Sequence, residues 1–362
     1  MGTGKVTVVN TSRSATGFGR YATDLANALG DSGMAVSFQV MRRDARAEFP
    51  GLRFTGFSLP FFSTESQFAN SICAYLNSRF FRFFFRKGIS YAAGQLGSGG
   101  IFHYASQEVF PFRTTGEEVV TIHDLAALRE DFGQESFSAK QYRKLVLRNI
   151  SIYRRFRRII AVSDFVRGEL EREGFDGDIR AVHSPVSSSF RPLGDKEGAR
   201  RRLGLPMDKK LILSVSTMHR RKNLGTVREA VESLGTGARL VRVGGQVGNS
   251  ITFSNVDAET LNTIYNACDV LLFPSKDEGL GYPVIEAFAA GLPVVASDIE
   301  VMREIAGNAG ILVEPVPGAC SDGIRQALAS GGELSAKGIE RAKEFSFSEF
   351  AGRMKGYYSS LD

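Results

Sequence analysis

Short runs of β-branched and apolar residues alternate with longer segments of helical periodicity in both halves of the chain. The strand-like runs span residues 5–10, 35–41, 119–122 and 158–162 in the first half, and 210–214, 238–243, 270–273 and 293–296 in the second. This alternation is typical of strand-helix-strand units and parallel sheets. Because 362 residues exceed what one ordinary core contains, the pattern predicts an α/β protein with two doubly wound, Rossmann-like domains.

The boundary between the domains is predicted near residues 187–192, a polar segment that ends in Pro192 just before a new helix-then-strand pattern. The predicted domains are residues 1–190 and 191–346, and the last pattern covers residues 347–362. Ligands of open parallel sheets bind beyond the carboxyl ends of the strands. We therefore expect the functional site in an interdomain cleft.

The net charge of +6 comes entirely from the first half of the chain. Residues 1–190 contain 24 Lys/Arg and 18 Asp/Glu, whereas residues 191–362 contain 21 of each. This asymmetry predicts an anionic partner for the N-terminal half, such as a membrane surface, a phosphorylated acceptor or nucleic acid.

The three cysteines, Cys73, Cys268 and Cys320, are far apart and lack CxxC spacing. This spacing argues against a disulfide framework or a zinc site, and we expect three free thiols in a reducing compartment. The first residues predict a strand and lack the order of a signal peptide. No uncharged apolar run reaches the roughly 18 residues of a spanning helix, so we expect a cytoplasmic protein.

Residues 274–293, PSKDEGLGYPVIEAFAAGLP, keep two glutamates in an otherwise apolar stretch. The segment follows a buried strand-like run. Pro283 suits the first position of a helix and Gly291 suits its C-terminal cap, which places Glu286 on the first helical turn.

Gly279 and Gly281 precede this helix and allow backbone amides to approach a ligand closely. Exposed amides at a helix N-terminus suit a phosphate or diphosphate. Carboxylates beside such an anion are better suited to accept hydrogen bonds from hydroxyl groups on either side of it. The segment therefore predicts a site for a nucleotide sugar.

Glu278 and Glu286 match the E-x7-E motif of the retaining GT-B glycosyltransferases of family 4, also called glycosyl transferases group 1. Four more segments resemble motifs of that family, in the same order along the chain. They are residues 16–21 (TGFGRY), 120–125 (VTIHDL), 160–163 (IAVS) and 221–224 (RKNL). Each match is weak alone, but together they extend the resemblance over nearly the whole chain. It implies a GT-B fold in which the C-terminal half binds the nucleotide sugar, the N-terminal half binds the acceptor, and the last helix crosses back to the N-terminal domain.

The resemblance also implies a role for each matching residue. The catalytic residues would be His123 and Glu278 beside the transferred sugar, and Arg221 and Lys222 on the diphosphate leaving group. The nucleotide-sugar-binding residues would be Gly17, Gly19, Gly279, Leu280, Gly281, Tyr282 and Glu286. Glu286 would accept hydrogen bonds from the ribose, and Gly17 and Gly19 would lie in a loop that closes over the phosphates.

The implied reaction is the retaining transfer of a hexose, with mannose or glucose favoured, to a glycan or lipid-linked acceptor without a protein nucleophile. No cofactor and no metal ion is implied, and the four scattered histidines lack ligand spacing. The sequence departs from the family pattern at Ser216, where an arginine is expected, and at residues 183–186, which replace Asn-Gly-Val. Arg220 or Arg221 would then substitute for the missing arginine.

Each of these residues also has a purely structural interpretation, which stays open beside the functional one. Glu286 could stabilise a helix N-terminus, and Glu278 and the cations at 220–222 could be solvated. His123 could satisfy a hydrogen bond in the core, and the two N-terminal glycines could form an ordinary turn.

Residues 79–87, RFFRFFFRK, place cations and phenylalanines on opposite sides of a helix. The segment fits a helix packed into the core, or an interfacial helix on an anionic membrane. In the second case the contacting residues would be Arg79, Phe80, Phe81, Arg82, Phe84, Phe85, Arg86 and Lys87. A second basic cluster at 154–158 favours peripheral association with the inner face of a membrane. Nucleic acid is not expected, because no nucleic-acid-binding motif accompanies the charges.

Three rival functions stay open. Two are enzymes of the same fold, a nucleotide-sugar epimerase and a sugar phosphorylase, and the third is a non-catalytic protein that binds nucleotide sugars or glycans. An epimerase needs no acceptor, a phosphorylase needs inorganic phosphate, and a binding protein gives no turnover.

Overall fold

The computed structural model describes residues 6–10, 17–31, 33–40, 100–109, 111, 116–129 and 137–361. The chain divides into two compact units: unit 1 comprises Met1–His183 and Phe350–Asp362, and unit 2 comprises Ser184–Glu349. The described residues of each unit form a six-stranded sheet in which every strand pair is parallel. The predicted fold class, two doubly wound α/β domains, is confirmed.

The first division between the units lies at 183/184, a few residues before the predicted boundary at 190/191. The residues between these points pack within unit 2. The amide of Val186 donates to the carbonyl of Phe345 over 2.8 Å, and the rings of Phe190 and Tyr265 are 5.7 Å apart. The polar segment therefore belongs to unit 2, and the chain passes from unit 1 to unit 2 a few residues before it.

Unit 1 is built on a sheet of the order β2-β1-β3-β4-β5-β6. Its strands are β1 Val6–Asn10, β2 Val36–Val40, β3 Ile101–Tyr104, β4 Glu117–Ile122, β5 Arg158–Ala161 and β6 Asp178–Ala181. The described helices of this part are α1 Gly17–Asp31, α2 Phe137–Tyr153 and α3 Asp164–Arg172. The α1 helix buries Tyr21, Ala22 and Leu25 on one face, and the hydroxyl of Ser163 caps α3 by accepting from the amide of Val166 over 3.1 Å.

Unit 2 is built on a sheet of the order β12-β11-β10-β7-β8-β9. Its strands are β7 Lys210–Ser216, β8 Ala238–Gly244, β9 Ile251–Phe253, β10 Val270–Phe273, β11 Val294–Ser297 and β12 Ile311–Val313. Its helices are α4 Lys196–Leu203, α5 Leu224–Glu232, α6 Ala258–Ala267, α7 Tyr282–Ala289, α8 Glu300–Ala306, α9 Pro317–Ala329 and α10 Gly331–Ala342. The strand order reverses at β7, because β8 follows on one side of it and β10 pairs on the other.

The last helix, α11 Phe347–Ser359, packs most of its length into unit 1. The hydroxyl of Tyr358 bonds Nδ1 of the buried His103, and His103 Nε2 lies 2.7 Å from the hydroxyl of Thr121. The same hydroxyl lies 2.8 Å from that of Tyr21 on α1. Burial and the nearby His123 lower the pKa of His103 to about 3, so the ring stays neutral at neutral pH.

A largely buried ion pair fixes α4 to the start of β10. Nη2 of Arg200 lies 2.7 Å from Oδ2 of Asp269, and the two side chains are only 8% and 12% exposed. Arg200 Nε also donates to the carbonyl of Ala267 over 2.9 Å. Oδ2 of Asp269 accepts from the amide of Leu211 on β7 over 2.8 Å, so one carboxylate joins α4, β7 and β10.

Two of the three cysteines, Cys268 and Cys320, are buried free thiols, and Cys73 lies outside the described residues. Among the described residues, no helix combines the length and the apolar composition that crossing a membrane requires.

Candidate functional site

The candidate site of unit 2 lies at the carboxyl ends of β7 and β10, on either side of the point where the strand order reverses. Loops diverge at such a point and leave a crevice, which is where doubly wound sheets bind their ligands. After β7, residues 217–222 lead through a short 3-10 turn, Arg220–Lys222, into α5. After β10, residues 274–281 lead into α7.

Three predicted site residues meet in this crevice, and we refer to Glu278, Arg221 and Lys222 together as the Glu278 cluster. Nη1 of Arg221 lies 3.0 Å from Oε2 of Glu278, and Lys222 Nζ pairs with Oε1 of the same carboxylate. Arg221 also donates from Nη1 to the carbonyl of Asp277 over 2.7 Å. The structure therefore joins side chains that are more than fifty residues apart in sequence.

Glu278 is an ionised acceptor at neutral pH. Burial acts to raise the pKa of its carboxyl, but the charges of Lys222 and Arg221 and hydrogen bonds from Lys222 and Ser275 outweigh burial and lower it. A carboxylate in this state accepts hydrogen bonds and has no proton to give. The two cations exceed the single carboxylate, so the Glu278 cluster has a net charge of +1. The interpretation of Glu278 as merely solvated is wrong, because the residue is only 6% exposed.

Asn223 fixes the loop that presents the two cations. Its backbone adopts a left-handed conformation with φ of 55°, which asparagine tolerates better than most residues. The side-chain amide donates to the carbonyl of Pro274 over 3.2 Å and to that of Pro315 over 2.8 Å. One side chain thus connects the loops that follow β7, β10 and β12.

Glu286 lies on α7, and the structure corrects two details of its predicted position. The helix begins at Tyr282, so Pro283 is its second residue and Glu286 lies beyond the first turn. The dipole interpretation of Glu286 therefore loses its geometric basis. Glu286 is 2% exposed, and its Oε2 accepts from the hydroxyl of Tyr265 on α6 over 2.8 Å.

The segment from Gly279 to Tyr282 connects Glu278 to this helix. Leu280 is 4% exposed, and Gly281 adopts φ of 92°, a conformation that favours glycine. A Cβ at Gly281 would lie 2.6 Å from Cε of Met302. The predicted cap Gly291 follows the last turn of α7 with φ of 74°.

His123 lies in unit 1, directly after β4, and is 6% exposed. Its ring packs against Phe18 and Tyr21, with centroids 4.7 Å and 4.8 Å away. Nε2 lies 2.9 Å from the carbonyl of Ala105; this contact requires a hydrogen on Nε2 and leaves Nδ1 as an acceptor. Burial lowers the pKa of His123 to about 4, so the ring is neutral at neutral pH.

Gly17 and Gly19 lie in the first turn of α1, so the expectation that they lie in a loop is wrong. The helix begins at Gly17, and the carbonyl of Gly19 accepts from the hydroxyl of Thr23 over 3.0 Å. The buried face of α1, which begins at Tyr21, holds this helix against the sheet. One more turn of backbone hydrogen bonds forms before Tyr21, so the helix includes the glycine-rich segment.

The segment 79–87, which was predicted as either a core or a membrane-facing helix, lies outside the described residues, as does Thr16. The second basic cluster, residues 154–158, is described. In the second basic cluster, Phe156 is buried and packs against Tyr153 with ring centroids 4.9 Å apart, whereas Arg155 and Arg157 are exposed.

Sequence reasoning missed one charged residue beside the crevice. Arg242 of β8 is fully buried, and its guanidinium bonds the hydroxyl of Ser216 at the end of β7 over 3.1 Å. A cation in the apolar run ARLVRVGG was the signal, since an arginine between buried strand residues needs specific partners.

Comparison with known proteins points to one family. Residues 195–345 match the family model of Glycosyl transferases group 1, a stretch that contains the Glu278 cluster and Glu286. The O-antigen chain mannosyltransferase B of Escherichia coli is 30% identical over 222 residues, which cover 52% of this chain and 57% of that protein. The D-inositol 3-phosphate glycosyltransferase of Mycobacterium tuberculosis is 30% identical over 200 residues, which cover 49% of this chain and 38% of that protein. The chain thus spans about half the length of these relatives.

Solved structures are similar over nearly the whole chain. Sucrose-phosphate synthase from Thermosynechococcus elongatus has a TM-score of 0.74 at 21% identity and covers 99% of both chains. HepE of Anabaena, solved in complex with UDP-glucose, has a TM-score of 0.75 at 15% identity, with 99% of this chain and 100% of that chain covered. WaaG, a glycosyltransferase involved in lipopolysaccharide biosynthesis, has a TM-score of 0.71 at 15% identity, with 97% and 100% covered. At these identities the likeness shows the fold, and the predicted GT-B fold is confirmed.

Proposed function

We propose that the protein transfers a hexose, mannose or glucose, from a nucleoside diphosphate sugar to a glycan or lipid-linked acceptor, with retention of anomeric configuration. The observation that carries this proposal is the Glu278 cluster at the point of strand reversal, followed eight residues after Glu278 by the buried Glu286 on α7. It combines cations for a diphosphate with carboxyl oxygens that can accept from hydroxyl groups. The match of residues 195–345 to the glycosyl transferases group 1 model supports the same reaction class.

In this proposal Arg221 and Lys222 stabilise the leaving group. Breaking the glycosidic bond adds negative charge to the diphosphate, and preorganised cations lower the barrier when they are placed where that charge develops. Both cations pair with Glu278, so a bound diphosphate shares them with the carboxylate. Two side-chain cations in this position let the reaction proceed without a metal ion.

Glu278 and His123 act on the sugar as hydrogen-bond acceptors. Glu278 has no proton to donate, and the neutral His123 offers only Nδ1, because its Nε2 hydrogen is directed to Ala105. In this scheme no protein nucleophile takes part. The acceptor oxygen bonds to the anomeric carbon on the face from which the nucleoside diphosphate leaves, the bond between that carbon and the diphosphate oxygen breaks, and the proton of the hydroxyl passes to the departing diphosphate. Unit 2 binds the donor in this scheme, and the more basic unit 1 binds the acceptor.

The test is a transfer assay with UDP-glucose and GDP-mannose and a bacterial lipid extract as the acceptor source. The proposal predicts that nucleoside diphosphate release depends on the extract and that proton NMR of the product shows the donor's anomeric configuration. A new sugar nucleotide formed without acceptor would indicate an epimerase. A requirement for inorganic phosphate would indicate a phosphorylase, and binding without any turnover would indicate a binding protein.

Replacing Glu286 with alanine is expected to weaken binding of the preferred nucleoside diphosphate by about ten- to a hundredfold. The change removes hydrogen bonds from the ribose to a charged acceptor, which are worth about 1.5–3 kcal/mol. Isothermal titration calorimetry measures the affinity. Tyr265→Phe is the matched control, because it removes the hydroxyl 2.8 Å from Glu286 and keeps the carboxylate that contacts the ribose. We expect it to weaken binding less than Glu286→Ala does. Wild-type affinity in Glu286→Ala would remove Glu286 from the site.

The membrane part of the proposal is that the N-terminal half binds anionic lipid. Arg155 and Arg157 are exposed, and neither belongs to an ion pair within the described part of the chain, whereas Arg154 pairs with Glu173 and Arg158 with Glu117. Unpaired surface cations are attracted to anionic headgroups, and the segment 79–87 would add aromatic side chains.

Cosedimentation with phosphatidylglycerol vesicles tests this part. Replacing Phe80, Phe81, Phe84 and Phe85 together with serine is expected to release most of the protein from the vesicles, because buried apolar area contributes to interfacial binding. Arg155→Ser with Arg157→Ser should weaken binding mainly at low salt. Unchanged cosedimentation of the correctly folded phenylalanine variant would contradict a membrane role for residues 79–87.

A further inference from the structure

Arg242 is a fully buried arginine whose hydrogen bonds go to neutral oxygens. It lies on β8, and the bonds span the ends of two neighbouring strands. Nη1 donates to the carbonyl and hydroxyl of Ser214 over 3.1 and 3.0 Å and to the hydroxyl of Ser216 over 3.1 Å, Nη2 donates to the carbonyl of Ser216 over 2.9 Å, and Nε donates to the carbonyl of Gly245 over 3.3 Å.

None of the ion pairs formed by described residues includes Arg242, so no carboxylate offsets its charge there. Burial lowers the pKa of the guanidinium to about 10, so it keeps its charge at neutral pH. Removing a charge from water without a counterion is costly. The buried Arg200 of the same unit is different, because it is paired with Asp269.

The guanidinium contacts Ser216, the residue directly before the loop that carries the two cations of the Glu278 cluster. Ser216 is the last residue of β7, and this loop begins at residue 217. The strand ends approach so closely that a Cβ on Gly244, which has φ of 126°, would lie 2.2 Å from the carbonyl oxygen of Ser216. A Cβ on Gly245 would lie 2.5 Å from Cγ of Met218 in the loop itself. Arg242 therefore fixes the base of the loop and places a positive charge there.

We propose that Arg242 is a positioning residue of the diphosphate site, holding the loop of residues 217–222 in place and adding a buried positive charge that an anionic ligand offsets. The inference rests on the proposed function. It adds Arg242 to Arg221 and Lys222 as a third source of positive charge at the proposed diphosphate site. Arg242 acts on the loop and not directly on the ligand, because each of its three side-chain nitrogens already donates to Ser214, Ser216 or Gly245. Its charge attracts the anionic ligand through space, because buried surroundings screen electrostatic interactions less than water does.

Isothermal titration with inorganic pyrophosphate tests the proposal in the full-length protein. Arg242→Lys keeps the charge and loses the fork of donors, whereas Arg242→Gln keeps an amide donor and loses the charge. We expect pyrophosphate affinity to be at least tenfold weaker for the glutamine variant, which loses the charge and most of the donors that hold the loop, and to fall less for the lysine variant, which keeps the charge. A purely structural role would lower the melting temperature of both variants and leave the affinity of the folded protein unchanged. Wild-type affinity in Arg242→Gln, or equal losses in both variants, would overturn the proposal.

A measurement on the wild-type protein covers the case in which the glutamine variant does not fold. The Nε–H signal of Arg242 in proton-nitrogen NMR should shift when pyrophosphate saturates the protein, and the signal of the ion-paired Arg200 should not. An unmoved Arg242 signal would overturn the proposal.

Lys222→Ala separates this proposal from the proposed function. Weaker pyrophosphate binding in Lys222→Ala, together with wild-type affinity in Arg242→Gln, would remove only the role of Arg242. Failure of the wild-type protein to bind pyrophosphate would overturn both the diphosphate site and the role of Arg242.

Discussion

Replacing Lys222 with alanine is expected to lower the turnover of sugar transfer by about a hundredfold to a thousandfold. Lys222 is 11% exposed, pairs with Glu278 and lies 5.4 Å from the centre of the Phe273 ring, so it is held in one place before the donor binds. Removing one preorganised group that stabilises developing negative charge typically costs about 2.7–4 kcal/mol of transition-state stabilisation. The measurement is the turnover number for nucleoside diphosphate release at saturating donor and acceptor.

Lys276→Ala is the matched control for this prediction. Lys276 lies in the loop after β10 and is exposed, and its backbone amide donates to the carbonyl of Arg221 over 2.8 Å. The control therefore removes the same charge from the neighbouring loop and keeps that backbone contact. Equal loss of turnover in both variants, or wild-type turnover in folded Lys222→Ala, would contradict a role of Lys222 in leaving-group stabilisation.

The second large effect concerns stability. Asp269→Ala is expected to lower the free energy of unfolding by about 3 kcal/mol, because breaking a buried ion pair leaves the partner charge without compensation. The change leaves the guanidinium of Arg200, which is 8% exposed, and the amide of Leu211 without their acceptor. Urea denaturation of wild type and variant measures the difference, with an unchanged m-value showing that the same surface unfolds.

An exposed pair on α9 provides the control. Asp322 lies 2.7 Å from Arg325 but is 79% exposed, and exposed pairs contribute about 1 kcal/mol or less. Asp322→Ala should therefore change stability far less than Asp269→Ala. Similar losses in the two variants would contradict the stabilising role assigned to the buried pair.

The pH dependence of the Asp269 contribution has a defined sign. Burial acts to raise the pKa of this carboxyl, but the amide of Leu211 and the charges of Lys196 and Arg200 outweigh it and lower the pKa below its ordinary value of 3.8. A lowered folded-state pKa gives stability that is present above the unfolded-state pKa and is lost as the pH falls through the folded-state value. The stability difference between wild type and Asp269→Ala should therefore shrink in acid below about pH 4, near the unfolded-state pKa of an aspartate.

The sequence predicted the strands that are long or strongly apolar, and it missed four short ones. Three of these, β6, β9 and β12, lie at the edges of their sheets and contain three or four residues. Such strands are specified by pairing with a neighbour, which no local pattern records. The central strand β3 was missed for a different reason: its buried His103 interrupts the apolar run, and the partners of that ring, Thr121 and Tyr358, are distant in sequence.

The sequence also identified the members of the Glu278 cluster without giving their geometry. The motif around Glu278 and the Arg-Lys-Asn segment each predicted ligand contacts, whereas the ion pairs between them depend on β7 and β10 being neighbours in the sheet. The glycines at 17 and 19 show the opposite case. A Gly-x-Gly pattern is typical of a turn, but the buried face of the following helix extends the helix back to Gly17.

The central claim is that the crevice of unit 2 binds a nucleotide sugar, and a thermal-shift panel with UDP, GDP, ADP and their common sugar derivatives tests it most directly. A ligand at a hundred times its dissociation constant stabilises a protein by about 2.7 kcal/mol. We predict a rise in melting temperature that is selective for one base, is larger when one particular sugar is attached, and is lost in Glu286→Ala. No shift of the folded wild-type protein with any nucleotide, or an equal shift in Glu286→Ala, would contradict the claim.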